Sequence, residues 1–321
     1  MVRKHPRRCR RARNATSRRV PRDTDTAPDD VSRREHAAAK LNLFLHVGAR
    51  APDGFHPLES LVVFTEFGDR LHLEPSKGFR LRRIGPFADA LPAAAADDLT
   101  ARAVTGLGEL VARVPDFTVT LEKNIPVAAG MGGGSADAAA AIRLVCRTWG
   151  VPFESPDVLS LAVGLGADVP VCLYSEPAWA TGVGEQITPL PGLTDLDLLL
   201  VNPRVPLATG HVFGTFTSPA SLDRMLPTGV DFAAPAAFLS YLESQRNDLA
   251  EPARALCPVI DDVLSGLERQ DGCRLARMSG SGPTCFGVFD DRVACERAGA
   301  AIGAANPDWW IIPTRTGQPA V

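Results

Sequence analysis

The sequence predicts an α+β protein of two domains, and three observations carry that prediction. The chain has 321 residues, which exceeds one ordinary domain of about 100–150 residues. Its apolar fraction of 45% and charged fraction of 22% are typical of a globular protein and not of a disordered one. Strand-like and helix-like segments are mixed without strict βαβ alternation, which favours the α+β class.

Charge sets the beginning of the chain apart. Residues 1–35 carry 12 Lys+Arg against 5 Asp+Glu, whereas the remainder carries 22 against 32. High charge with few apolar residues predicts a disordered basic extension over 1–35. A transit peptide or a nucleic-acid-binding tail is the alternative. Because the rest of the chain is acidic, we expect no nucleic-acid partner for the folded part.

Hydropathy and cysteine usage indicate a cytoplasmic protein. No apolar run approaches the roughly 18 residues of a membrane helix, and no secretory signal precedes the cysteines, so we expect no membrane partner. The seven cysteines are scattered and form no CxxC pair. We expect reduced, mostly buried thiols, with neither a disulfide framework nor a zinc site.

The predicted elements of the first half begin with the strand Ala38–Val47. Its alternating pattern places Lys40 and Asn42 on one face. A helix capped by Asp97 or Asp98 runs to about Arg113. The further strands predicted here are 58–67, 70–74, 79–84 and 117–123.

The later elements include two helices, Ser135–Trp149 and Ser155–Val163, followed by a strand over Val169–Tyr174. Proline- and glycine-rich stretches at 189–192 and 219–229 mark a domain edge and an internal loop. The chain is therefore divided into the extension 1–35, a first domain 36–193 and a second domain 194–321. For the second domain we predict strands at 196–201, 274–278 and 284–289 and helices at 234–244, 258–268 and 292–303.

The strongest local feature is a glycine-rich loop that leads directly into a helix. Four glycines within Gly130–Gly134 let backbone N–H groups approach an anion, and the following helix points its positive end at the same place. No Lys precedes Ser135, so the loop is not a Walker A motif, and the GxGxxG spacing is absent. The alternative is a flexible glycine turn. The predicted phosphate cradle consists of Pro126, Val127, Ala128, Ala129, Gly130, Met131, Gly132, Gly133, Gly134, Ser135 and Ala136.

Three further features are candidates for the same chemistry. Ser279–Thr284 is a second glycine-serine cluster, which is either a turn or a second approach to phosphate oxygens. Lys40 is one of only four lysines against 30 arginines, and it lies inside an apolar strand. Asp168 precedes an apolar segment and is either a helix or turn cap or an acid/base group. Phosphoryl transfer requires a positioned hydroxyl and balancing positive charge, which these residues can supply.

Taken together, these segments resemble the GHMP kinase superfamily over about residues 37–313. Within it, the segments at 39–45 and 53–56 select the branch whose acceptor is a cytidine-diphosphate-linked sugar alcohol of non-mevalonate isoprenoid biosynthesis. The segments that carry the resemblance are Ala39–Leu45, Asp53–His56, Leu58–Ser60, Ile125–Ala140, Leu165–Pro170, Gly182–Glu185, Arg246–Leu249 and Ser279–Thr284.

The resemblance implies a GHMP-kinase-like fold with the active site in the cleft between the domains. It implies ATP as phosphoryl donor, Mg²⁺ carried with the nucleotide, and a monomer or weak homodimer. Lys40 and Asp168 would be the catalytic pair, with Asn42 positioning the substrate. Phe55 and Phe213 would stack on the cytosine, and His56 would hydrogen-bond its edge. No protein metal site is expected.

Two departures and two alternatives accompany this interpretation. The family usually has Tyr at the position of Phe55, and Phe213 lies in a less similar stretch, 203–216; core packing is the alternative role for both. Another GHMP kinase, such as a homoserine or mevalonate kinase, would explain the glycine motifs but not the Phe55-His56 turn. A non-catalytic nucleotide- or nucleic-acid-binding protein is the alternative from a different class.

Overall fold

The computed structural model describes Met1 and residues 33–52, 54–217, 222 and 226–317. Most of the predicted basic extension, residues 2–32, therefore lies outside the described residues. The first strand, β1, starts at Arg34, earlier than predicted. Glu35 within β1 forms ion pairs with Arg143 and Arg147, so the last residues assigned to the extension belong to the folded body.

Strands up to Pro189 form the first sheet, and strands from Asp197 onward form the second. In the first sheet the order is β3-β4-β2-β5-β6, with β1 antiparallel to the long β2. In the second the order is β10-β7-β9-β8. The strands are β1 Arg34–Val47, β2 Leu58–Pro75, β3 Arg80–Ile84, β4 Phe117–Glu122, β5 Ala178–Thr181, β6 Gln186–Pro189, β7 Asp197–Asn202, β8 Cys273–Met278, β9 Cys285–Phe289 and β10 Trp310–Arg315.

Helices cover the sheets and connect them. The alanine-rich α2 packs on β1 and β2 and is also covered by α1 and α4, so every residue of Ala136–Ile142 is buried. The α-helices are α1 Leu99–Leu110, α2 Gly133–Trp149, α3 Pro156–Leu165, α4 Val169–Tyr174, α5 Thr209–Thr215, α6 Pro235–Glu243, α7 Ala250–Leu256, α8 Val259–Glu268 and α9 Arg292–Ala305. Among the described helices, none is both long and apolar enough to cross a membrane.

One apolar cluster joins the two halves of the molecule. It contains Leu41 and Phe44 of β1 together with Leu198 of β7 and Phe286 of β9, all fully buried. Both faces of β1 are covered, because Ala38 on the same strand packs into the separate cluster beneath α2. The strand that carries Lys40 is thus fixed from both sides, which limits its movement relative to either sheet.

The α+β fold class is confirmed, and one predicted element is wrong. Val169–Tyr174 is a helix and not a strand. Its residues are apolar and nearly all buried, so the short run carries no periodicity that separates the two possibilities. Pro170 decides it physically, since proline fits the first turn of a helix but cannot donate a strand hydrogen bond.

Capping outcomes differ between two predicted helices. Asp98 caps α1 by accepting hydrogen bonds from the N–H groups of Thr100 and Ala101, as predicted. Ser155 occupies the N-cap position of α3, but its side chain accepts no capping bond.

The segments 58–67 and 70–74 form one continuous strand, β2. Sequence patterns did not indicate β5, β6, α5, α7 or β10.

Candidate active site

The predicted phosphate cradle connects β4 to α2 and lines a cavity of about 410 Å³. Gly130 and Gly132 adopt positive φ angles of 72° and 60°, which favour glycine. At Gly130 an added Cβ would lie 2.5 Å from the carbonyl oxygen of Ser279, so the loop also requires glycine for close packing. The start of α2 at Gly133 directs its unpaired N–H groups toward this cavity.

Most of the predicted site residues surround this cavity. Lys40, Asn42, Asp168 and Phe213 line it, as do nine of the eleven cradle residues. The two cradle residues outside the lining are Met131 and Ala136, which are buried. Met131 contributes through its carbonyl oxygen, which accepts a hydrogen bond from the Lys40 N–H at 3.1 Å.

Lys40 and Asp168 meet at the cavity wall although 128 positions separate them. The ammonium Nζ of Lys40 donates to Asp168 Oδ1 at 2.8 Å. The lysine side chain is 6% exposed, whereas the aspartate side chain is 42% exposed. Asp168 occupies the N-cap position of α4 but its carboxylate makes no capping bond. The arrangement therefore agrees with the acid/base alternative better than with the capping one.

Asn42 connects this pair to the neighbouring strands. Its Oδ1 accepts from Lys40 Nζ at 3.3 Å, and its Nδ2 donates to Ser60 Oγ at 2.7 Å. The backbone N–H of Asn42 donates to Ser279 Oγ at 3.1 Å. Because these groups are buried and mutually bonded, the direction of the Lys40 side chain is defined by the protein alone.

The second glycine-serine cluster packs directly on the first loop. Ser279 Oγ donates to the carbonyl oxygen of Gly130 at 3.0 Å, and the N–H of Thr284 donates to Ala129 O at 3.3 Å. Gly280 and Ser281 line the same cavity. The two motifs, 150 residues apart in sequence, form one continuous wall.

Only some of the residues predicted to bind the cytosine base lie close together. His56 Nδ1 donates to the Gly48 carbonyl oxygen at 2.9 Å, which leaves Nε2 as an acceptor in the neutral ring. The ring centroids of His56 and Phe213 lie 5.8 Å apart. Phe55 is 62% exposed and is absent from the cavity lining. Phe213 is partly buried against the cluster of the second sheet and also faces the cavity.

Sequence reasoning overlooked a charged cluster beneath the cradle. Lys123 Nζ donates to Asp69 at 2.5 Å and to Asp137 at 2.6 Å, and all three side chains are at most 2% exposed. Burial lowers the pKa of Lys123, but the two carboxylates outweigh it and raise the pKa above its usual value. Burial raises the pKa of Asp137, and the Asp69 charge raises it further. The Lys123 charge lowers it, but the pKa of Asp137 stays well above its usual value.

Comparison with known proteins agrees with this geometry. Residues 94–176 match the GHMP kinases N terminal domain, and residues 235–308 match the GHMP kinases C terminal domain. A 4-diphosphocytidyl-2-C-methyl-D-erythritol kinase from Rhodopseudomonas palustris is 45% identical over 289 residues, covering 87% of this chain and 95% of the relative. One from Cereibacter sphaeroides is 47% identical over 285 residues, with 87% and 97% coverage.

The chain belongs to the 4-diphosphocytidyl-2-C-methyl-D-erythritol kinase family. A crystal structure named as 4-(cytidine 5'-diphospho)-2C-methyl-D-erythritol kinase has 32% identity and a TM-score of 0.71, covering 88% of this chain and 99% of the other. A homoserine kinase from Cytophaga hutchinsonii has a TM-score of 0.67, with 89% and 94% coverage. Its 20% identity shows the shared fold alone. Members of this kinase family are ATP-dependent, so ATP is the phosphoryl donor.

Proposed function

We propose that this protein transfers the γ-phosphoryl group of ATP to the 2-hydroxyl of 4-diphosphocytidyl-2-C-methyl-D-erythritol. The observation that carries the proposal is the Lys40–Asp168 pair on the wall of the cavity that the glycine loop lines. The reaction belongs to non-mevalonate isoprenoid biosynthesis, and we propose that it takes place in the cytoplasm.

The cradle supports the donor side of the reaction. Backbone N–H groups from 130–134 and the positive end of α2 can bind the β- and γ-phosphates without a cationic side chain. Ser135 adds a hydroxyl on the cavity wall. Beyond the cradle the cavity extends to Leu91, Pro92 and Leu99, an apolar surface suited to the face of the adenine base.

The chemistry is assigned to Lys40 and Asp168. The oxygen of the acceptor hydroxyl attacks the γ-phosphorus, and Asp168 accepts the proton of that hydroxyl. ADP leaves with the bridging oxygen. The buried ammonium of Lys40 stabilises negative charge on the attacking oxygen. Because the transition state is loose, placing these groups matters more than strong base catalysis.

We propose that Mg²⁺ enters this site as a companion of the nucleotide phosphates. In the part of the chain that the structure describes, no group of three or more His, Cys, Asp or Glu side chains forms a metal site. Magnesium commonly takes one or two protein oxygens together with substrate phosphates. The Ser135 hydroxyl and the Asp168 carboxylate are two candidates on the cavity wall, which also carries Asp97, Asp98 and Asp137. When bound, the ion neutralises phosphate charge.

The acceptor side is assigned to the aromatic residues near the 48–57 turn. His56 uses Nδ1 for its hydrogen bond to the Gly48 carbonyl oxygen. Its Nε2 can therefore accept a hydrogen bond from the exocyclic amino group of cytosine. Phe213 offers a ring on the cavity wall. Phe55 supplies a second face from the exposed turn, without the hydroxyl that the family's usual tyrosine has there.

An acceptor competition tests the proposal. ATP consumption is measured with 4-diphosphocytidyl-2-C-methyl-D-erythritol, homoserine and mevalonate as separate acceptors. We expect turnover with the cytidyl compound alone. In Phe55→Ala, the KM for that compound should rise by the loss of one stacking face, worth about 1–3 kcal/mol, while the KM for ATP stays unchanged. Turnover of homoserine or mevalonate instead would overturn the substrate assignment.

A further inference from the structure

The segment Arg246–Leu249 (the 246–249 segment) holds the second glycine-serine cluster from behind. The Asn247 side chain is buried, and its Nδ2 donates to the carbonyl oxygens of Met278 and Gly280, each at 2.8 Å. Its Oδ1 accepts from the N–H of Leu249 at 2.9 Å. Both amide protons and the amide oxygen are therefore bonded to backbone groups.

The same segment is fastened to the end of β1. Leu45 donates its N–H to Arg246 O at 3.0 Å, and Asp248 donates its N–H to Leu45 O at 2.8 Å. The Asp248 carboxylate accepts from the Val47 N–H at 2.8 Å. One short segment thus joins the strand that carries Lys40 to the loop that closes the cavity.

The second glycine-serine cluster packs closely against both the cradle and the side chain that orients Lys40. A Cβ on Gly280 would lie 3.0 Å from Gly130 O and 3.2 Å from Asn42 Oδ1. Asn42 Oδ1 is the atom that accepts from Lys40 Nζ. Movement of Gly280 would therefore disturb both the cradle and the hydrogen bond that orients the lysine.

We propose that Asn247 is a positioning residue for phosphoryl transfer, holding Gly280 against Gly130 and Asn42 and so fixing Lys40 relative to the phosphate cradle. The inference rests on the proposed kinase function. Asn247 touches none of the reacting atoms. Its contribution belongs to the geometry of the reacting complex and should affect kcat more than the KM for the acceptor.

The test uses Asn247→Asp in the full-length protein with the cytidyl acceptor. At pH 8 a carboxylate would face two carbonyl oxygens, and we expect kcat to fall about 10- to 100-fold, as for small misplacements of reacting groups. As the pH falls toward 5.5, the buried carboxyl binds a proton and can donate one bond again. The variant-to-wild-type ratio of kcat should then rise.

Asn306→Asp is the matched control, because Asn306 Nδ2 also donates to a backbone carbonyl, that of Ile302, at the end of α9. Its kcat ratio should stay near one at every pH. If Asn247→Asp does not fold, Asn247→Ser retains one donor, and an intermediate loss of kcat is expected. A variant with reduced melting temperature but wild-type kcat per folded molecule overturns the inference. Wild-type protein without kinase activity would instead refute the proposed function.

Discussion

Two lysines lie beside the glycine loop, and their surroundings differ in one respect. Lys40 pairs with a carboxylate whose side chain is 42% exposed and faces the cavity. Lys123 and Asp137 also contribute to the cavity lining, but Lys123 pairs with Asp69 and Asp137, whose side chains are only 0% and 2% exposed. Both lysines are themselves buried, so the difference lies in the partner.

We propose that this difference in exposure separates a reactive pair from a structural one. Asp168 has room on its open side for a substrate hydroxyl. Asp69 is used internally, since its Oδ1 accepts from the N–H groups of Asn124 and Ile125 at 2.5 and 2.8 Å. The enclosed cluster therefore ties β2 to the start of the loop and, through Asp137, to α2. We expect it to hold the cradle in shape, and we propose that the open pair performs the transfer.

The largest expected effect is on turnover at Lys40. Lys40→Ala removes the charge beside the attacking oxygen, and kcat should fall by about 10²–10⁴, measured in a steady-state ATP assay. Combined with Asp168→Asn, the loss should be far smaller than the product of the two single losses, because the residues act as a unit. Multiplicative losses would show that the two residues act independently.

The enclosed cluster should instead respond in stability. Asp69→Asn removes a buried charge and weakens the bonds to Asn124 and Ile125, so the free energy of unfolding should fall by about 3 kcal/mol. Urea titration measures it, and kcat per folded molecule should be retained. Asp290→Asn breaks the exposed pair with Arg274 and is the control, expected to cost at most about 1 kcal/mol. Equal losses in the two variants would contradict the structural role.

A valine at Gly133 tests whether the enclosed cluster supports the cradle. Its Cβ would lie 3.1 Å from both Lys123 Nζ and Ile125 Cγ2. Overpacking of this kind costs about 1–3 kcal/mol, and ATP affinity should fall roughly tenfold. At Gly134 the nearest atom to an added Cβ is Leu99 Cδ1 at 3.5 Å, so Gly134→Val should bind ATP more tightly than Gly133→Val. Isothermal titration compares them, and the reverse order would place the cradle elsewhere.

The smallest expected effect is a pH dependence at Asp137. Its pKa is raised in the folded protein, so its protonation stabilises the fold fully below the ordinary value of 3.8 and this contribution is lost as pH rises through the folded pKa. Asp137→Asn removes that titration. Between pH 5 and 8, the melting temperature of the variant should increase relative to that of the wild type as the pH rises. Parallel curves would show that Asp137 does not titrate in this way.

The sequence was most informative where backbone chemistry is local. Glycine spacing predicted a loop that leads into a helix, and an apolar strand predicted the setting of Lys40, since both depend on neighbouring residues. Phosphate binding by the loop stays a prediction. It was least informative where distant elements meet. Lys123 immediately precedes the loop and is also one of only four lysines, which was an available signal. Its partner Asp69 lies 54 positions earlier, and no local pattern joins them.

The helix α4 is a second element that the local sequence pattern did not determine. Five of the six residues of Val169–Tyr174 are buried, so its apolar run fits a strand as well as a helix. That Asp168 makes no capping bond and pairs with Lys40 of β1 also required the structure. The domain boundary near residue 194, the catalytic roles of Lys40 and Asp168, and the roles of Phe55 and Phe213 stay predictions.

The most direct test makes the same substitution in the open pair and in the enclosed cluster. Asp168→Asn and Asp137→Asn each replace a carboxylate by its neutral isostere next to a lysine. Single-turnover phosphoryl transfer with saturating ATP and cytidyl acceptor measures the chemical step. We expect a fall of about 10²–10⁴ in Asp168→Asn, with its melting temperature unchanged, and near-normal transfer in Asp137→Asn. Near-normal transfer by Asp168→Asn would contradict the central claim that the open pair performs the reaction.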